Sequence, residues 1–194
     1  GFVTLGCFVL FTFNYDSLYL QNAVMGIEGA MMQMISHGFI SGALFICVGI
    51  LYDRMHTKLI LKYGGVANKM PIFATCFMVF AMANSGLPGT SGFVGELFVI
   101  LSVFKVHFVY ALIAGSTLIL GATYTLWMYK RVMFGHIKNI QIAALKDLDI
   151  CEKMALFILV FVVVLFGIWP APLLNEMHST IEHLVYQVIQ SKVY

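Results

Sequence analysis

The sequence predicts an all-α fold, a polytopic transmembrane helix bundle with one discontinuous helix and a C-terminal amphipathic helix. Three observations carry that expectation. The chain of 194 residues is 61% hydrophobic, only 10% charged, and has a mean hydropathy of +0.93, the profile of an integral membrane protein. Its apolar runs are separated by short charged connectors. One run, residues 70–104, is interrupted in its middle by Gly86, Pro88, Gly89, Gly92 and Gly95 and holds a single charged residue, Glu96. The net charge of +2 and the lack of a basic cluster with interleaved aromatics argue against nucleic-acid binding. Cys7, Cys47, Cys76 and Cys151 are scattered without ligand spacing, so neither a disulfide framework nor a zinc or iron–sulfur site is expected.

Residues 1–13 carry no charge and span only about 20 Å as a helix, short of the roughly 30 Å hydrocarbon core. No basic region precedes them, so a signal peptide is not expected. They read as the end of a transmembrane helix, and the chain as a piece of something larger. A polar-aromatic connector carrying Asp16 follows, over about 14–25. The next helix is expected at 28–52, with His37 inside it and Gly38, Ser41, Gly42 and Ala43 permitting close helix contact. On spacing alone His37 is either a packed histidine or a proton relay, since an imidazole readily gains and loses a proton near neutrality. The carboxylate in the later broken span favours the relay.

The 53–69 connector holds Arg54, Lys58, Lys62 and Lys69 and reads as a solvated loop. His56 at its start either lines the mouth of a pathway or faces solvent. The broken span 70–104 is the stretch most expressive of chemistry. Proline removes a backbone donor and glycine loses the most entropy on becoming helical. In hydrocarbon such an unwound stretch survives only where protein or internal water covers it. A carboxylate at mid-depth costs roughly 2.5–3.5 kcal/mol on the lenient insertion scale. The two costs side by side point to a hydrated ion site at Glu96; the plainer alternative is a packing kink with Glu96 bonded to a neighbour.

A plain span is expected at 109–131, closed by interfacial aromatics, Lys130 and Arg131. A connector at 132–153 leads to a span at 154–170, stopped by Pro170 and Pro172, and then to an amphipathic helix at 173–192 lying on the surface or on a partner. His178 and His183 are expected to face water there. The 53–69 and 130–153 connectors hold four and five of the eleven basic residues. By the positive-inside rule both face the matrix or cytoplasm, and the 13–28 connector and the C-terminus face the other side.

Several of these motifs resemble one family closely. They are M-I-S-H-G-F-I-S-G-A-L-F (34–45), L-Y-D-R-M-H-T-K (51–58), the Gly-Gly before K-M-P, L-P-G-T-S-G-F-V-G-E (87–96) and F-G-I-W-P-A-P-L-L (166–174). Together they are similar to the C-terminal part of subunit 4 among the antiporter-like membrane subunits of respiratory complex I, the proton-pumping NADH:ubiquinone oxidoreductase. The resemblance implies a proton-translocation role for Glu96 as the terminal carrier, for His37 on a central hydrophilic axis and for His56 toward the matrix end. It also implies that the chain has no cofactor of its own. NADH, flavin, iron–sulfur clusters and ubiquinone would belong to other subunits, so enzyme activity is expected only of the assembly.

The expected partners are the N-terminal part of the same subunit, the other antiporter-like subunits and the lipid bilayer. The family's earlier glutamate and central lysines have no counterpart here, and Lys105, Lys130 and Arg131 at helix ends do not replace them. A complete proton path therefore needs more helices, either on a separate chain or upstream on the same one. A split subunit favours the mitochondrial inner membrane, with a bacterial plasma membrane as the alternative. Competing readings are an Mrp-type cation/proton antiporter, an energy-converting hydrogenase membrane subunit, or a structural fragment in which Glu96 carries no proton.

Overall fold

One long helix, α2 (Ser17–Met55), is the axis on which α1 (Phe2–Val9), α3 (Pro71–Asn84), α4 (Ser91–Val106), α7 (Ile150–Ile168) and α8 (Ala171–Val193) pack. The computed structural model describes residues 1–12, 17–137 and 139–193, and these are helices and loops without a strand. α5 (Phe108–Met133) closes the bundle against α3 and α4, and a single turn, α6 (Ile140–Ala143), sits in the connector before α7. Among the described residues three helices are long and apolar enough to cross a membrane, within 20–55, 108–133 and 150–168. The consecutive pair α3 and α4, of 14 and 16 residues, makes the interrupted element.

The helix bounds follow local chemistry. α3 starts on Pro71, whose fixed φ suits the first helical position. Its free N–H groups at Ile72 and Phe73 donate to the Asp147 carboxylate at 3.1 and 3.3 Å. α7 begins at Ile150, four residues before the expected 154, because Asp149 and Glu152 form a reciprocal capping box. The last turn of α5 carries Lys130 and Arg131, cations at the negative end of the helix dipole.

Three departures from the sequence reading have physical causes. The expected connector over 14–25 is helical from Ser17 onward; Phe13–Asp16, Asp16 included, lie outside the described residues. Ala23, Val24 and Ile27 are buried against α8, which continues the helix below residue 28. Asn22, which reads as a loop residue, is 2% exposed; its side chain donates to the Ser102 carbonyl at 3.0 Å. The Ser102 hydroxyl returns a bond to the Asn22 carbonyl at 2.8 Å. The basic 53–69 connector is partly ordered in two short 3-10 turns, 60–62 and 66–68. His178 is also not simply solvated. Its Nδ1 lies 2.6 Å from Glu28 Oε1, which ties α8 to α2.

The largest apolar cluster joins α2, α3, α5 and α7 through Cys47, Phe73, Phe77, Phe80, Met133 and Leu156. It lies at the end where the two basic connectors meet. There Gly65 N–H donates to the Phe134 carbonyl, and Arg54 grips Glu152 with two bonds of 2.9 and 2.7 Å. Both basic connectors are thus at one end of the bundle, as the positive-inside argument requires. Ile119 (71% exposed) and Phe161 (65% exposed) lie on outward faces suited to lipid or to neighbouring membrane helices.

Candidate functional site

The interruption between α3 and α4 is built by two successive turn motifs. Asn84 is the last residue of α3, and beyond it Gly86 N–H donates to the Ala83 carbonyl and Leu87 N–H to the Met82 carbonyl. This is a Schellman stop, and Gly86 takes the left-handed φ of 75° that it requires. Leu87–Thr90 then forms a tight turn, with Thr90 N–H donating to the Leu87 carbonyl. Pro88 and Gly89 (φ 90°) fill its second and third positions, the residue types that a type II turn favours. Two of the five breakers behave differently from the expectation. Gly92 and Gly95 lie inside α4, where their missing side chains allow contact rather than break the helix. A Cβ on Gly95 would sit 2.7 Å from Gln33 N and 2.9 Å from Gln33 Cα.

That close approach brings α4 onto α2 where Glu96 needs a donor. Gln33 Nε2 donates to Glu96 Oε1 at 3.3 Å. Glu96 is 7% exposed and its Oε2 has no protein partner. Oε2 points toward the break: a Cβ on Gly86 would lie 2.5 Å from it. Among the described residues no lysine, arginine or histidine pairs with Glu96. Above the seam, Ser36 Oγ donates to the Ser91 carbonyl at 2.9 Å and fixes the start of α4 on α2.

A cavity of about 600 Å³ opens beside this carboxylate. Its walls include Gln33 and His37 from α2, Asn84 and Ser85 from α3 and the break, Glu96 from α4, and Tyr124 from α5. Gln33 and His37 are one helical turn apart and therefore share a face. The cavity is polar at one wall and lined by Phe2, Val3, Leu118 and Leu120 elsewhere. Glu96 Oε2 and Gln33 Oε1 are both buried without a partner behind this polar wall, the kind of acceptors that internal water satisfies.

The structure brings Glu96 and His37 to one cavity and leaves His56 out of it. His56 ends α2 with a left-handed φ of 48° and its ring edge-on to Tyr52. Nineteen residues of helix separate it from His37, about 28 Å. Gln33 is the site residue that motif reading passed over. Its signal was a lone amide inside an apolar run, four residues before a histidine. Among the described residues no group of three histidine, cysteine, aspartate or glutamate side chains is placed to hold a metal.

Residues 17–121 match the family model described as NADH:quinone oxidoreductase/Mrp antiporter, TM. Subunit M of the NADH-quinone oxidoreductase of Rhodobacter capsulatus is 45% identical over 185 residues, 95% of this chain and 34% of that protein. NADH-ubiquinone oxidoreductase chain 4 of Marchantia polymorpha is 41% identical over the same length, 35% of that protein. The chain thus spans about a third of the length of the curated relatives it matches. Among solved structures, the fold is similar to a chain of respiratory complex I from Thermus thermophilus with bound NADH. The TM-score is 0.84 at 26% identity, over 96% of this chain and 37% of that one. A chain of an archaeal membrane-bound sulfane sulfur reductase aligns over 79% of this chain and 25% of its own length, with a TM-score of 0.68 and 25% identity.

Proposed function

Because the chain belongs to the NADH:quinone oxidoreductase/Mrp antiporter membrane family, we propose that it forms the proton-carrying end of an antiporter-like membrane-arm subunit of a NADH:quinone oxidoreductase. The observation that carries this is the buried Glu96 carboxyl, with one oxygen unpartnered, in the wall of a cavity beside a helix break.

The chemistry is that of a carboxyl whose surroundings alternate. When water fills the cavity, the carboxylate is solvated at Oε2 and held by the Gln33 amide at Oε1, so the proton leaves. When the cavity is dry, a lone buried charge is expensive and the neutral acid is favoured. His37 shares the cavity and supplies a second group that exchanges a proton through water. His56 stands at the basic end of α2, where protons would enter from the matrix or cytoplasm. The remaining charged groups of such a route belong to the part of the fold that this chain does not span, on the same polypeptide or on a partner. We assign NADH oxidation and its redox groups, as well as quinone, to other subunits, with the other antiporter-like subunits as neighbours in the bilayer.

The test is Glu96→Gln in the assembled complex. We expect NADH oxidation and assembly on a native gel to persist while proton translocation per NADH falls about a hundredfold, the scale of losing a proton-transfer group. Unchanged pumping would leave Glu96 with a packing role only. An Mrp-type exchanger is the second reading, since the family model covers both. Sodium-dependent proton movement without NADH oxidation would favour it.

A further inference from the structure

Among the glycines, the one with least room for a side chain is a residue that the proton path does not use. Gly167, in the F-G-I-W-P motif at the end of α7, lies directly on the break. A Cβ there would overlap the Gly89 carbonyl and the Thr90 backbone. The obstacles are backbone atoms, so no side-chain rotation relieves the overlap. Thr90 is 4% exposed under this contact. The adjacent Phe166 ring stacks on Phe39 of α2, with centroids 6.3 Å apart and planes 26° apart, which fixes α7 sideways. At its other end α7 is held to α2 by the Arg54–Glu152 pair.

The five-residue path from Gly86 to Thr90 is therefore clamped between two close approaches. On one side Gly167 presses Gly89 and Thr90; on the other Gly86 lies against the unpartnered oxygen of Glu96. The two contacts are joined by a short link in which Pro88 fixes one φ and the Thr90–Leu87 and Leu87–Met82 backbone bonds close the turns, so a displacement at Thr90 has a short bonded route to Gly86.

We propose that Gly167 is a positioning residue: by seating α7 on the break it sets how closely the Gly86 backbone covers the Glu96 carboxyl, and so how readily water reaches Oε2. The proposal rests on Glu96 as a proton carrier for its functional consequence, but not for its geometry. α7 also has an outward apolar face, including Phe157, Ile158 and Phe161, so a neighbour leaning on α7 would act on the carboxyl through the same contact.

The experiment uses the complete complex in native membranes, with Gly167→Ala, Phe166→Leu and, as control, Gly115→Ala, whose added Cβ would meet nothing within 4 Å. Two quantities are read. One is the rate at which a hydrophobic carbodiimide, which adds to protonated carboxyls, labels Glu96, followed by mass spectrometry of its peptide. The other is protons translocated per NADH. Gly167→Ala is expected to change the labelling rate by about threefold or more and to lower the proton ratio by a comparable factor, because small misplacements at a reacting group carry large rate effects. Phe166→Leu shifts both in the same direction by less, and Gly115→Ala leaves both at the wild-type value.

Wild-type labelling and pumping in assembled Gly167→Ala would overturn the proposal. If that variant fails to assemble, Phe166→Leu decides by the same two readings. Glu96→Gln is measured alongside. Normal pumping there, with altered Glu96 labelling in Gly167→Ala, sinks the proton-carrier reading and keeps the positioning role. Lost pumping there, with unaltered labelling, does the reverse.

Discussion

Two carboxylates contact α2, and they are treated in opposite ways. Glu152, at the basic end, accepts two bonds from Arg54 and one from its own capping N–H at Asp149. Glu96, at the break, accepts one long bond from a neutral amide and leaves an oxygen bare. A carboxylate with every acceptor filled by charge-assisted bonds is fixed in one protonation state and acts as a fastener. One that is buried and under-bonded has no such partner to hold it in its charged form. The two differ in both burial and bonding: Glu152 is a quarter exposed with both oxygens held, whereas Glu96 is buried with one oxygen bare.

Exchanging the same chemistry between the two positions sharpens the contrast most. Glu96→Gln abolishes pumping with assembly intact, whereas Glu152→Gln leaves the proton-to-NADH ratio of assembled complex unchanged while lowering its stability. A matching result for both variants would erase the distinction. Next in size, Arg54→Met removes the fastener from the other side and leaves Glu152 without its cation. We expect a loss of about 2 kcal/mol, the scale of hydrogen bonds to charged groups, read as a lowered midpoint in thermal unfolding of the solubilised complex.

Gln33→Leu strips the one donor from Glu96 Oε1. A neutral bond is worth about 1 kcal/mol, so the proton ratio should fall by roughly fivefold, well short of losing the carboxyl. A loss as large as that of Glu96→Gln would mean that the amide itself relays protons.

The smallest effect concerns a further carboxylate, Glu28 of α2 itself. Glu28 lies beside His178, and their hydrogen bond and the opposite charge raise the imidazole above its ordinary 6.5; Glu182, 3.7 Å away, adds to this. A raised folded-state value means that the protonated histidine holds α8 on α2 fully below about pH 6.5, and that this hold is lost as pH climbs through the raised value. Limited proteolysis of α8 should therefore quicken between mildly acidic and mildly alkaline pH, and the pH step should vanish in His178→Gln.

The bundle, the break and Glu96 were legible because each violates a membrane norm visible in one dimension: a proline with glycines and a lone charge inside an apolar run. The donor to that charge was not, because Gln33 lies 63 positions away and only the absent side chain of Gly95 brings it near. The start of α2 was misjudged for a similar reason. Asn22 looks like a loop residue until Ser102, 80 positions later, accepts its amide. Expected charge clusters became structure the same way: Asp147 in the connector is the cap of α3. His56 was grouped with Glu96 by motif, and the straight length of α2 sets it far from the cavity.

The seam between α2 and α4 has one further property. Residues 22, 26, 29, 33, 36 and 40 of α2 meet α4 at Ser102, Val99, Gly95–Glu96 and Ser91–Gly92, an alternation of fours and threes along both partners. That is a heptad repeat, the pattern of two strands wound with a left-handed supercoil. Its polar rungs, Asn22, Gln33 and Ser36, index the register as a buried asparagine does in a zipper. Sliding α4 by one turn would break all three polar pairings at once, and the heptad spacing would recur only after seven residues, about 10 Å. Glu96 is thereby locked in height against α2, so a proton-carrying role would call for rocking or rotation of the half-helices and not for a piston stroke.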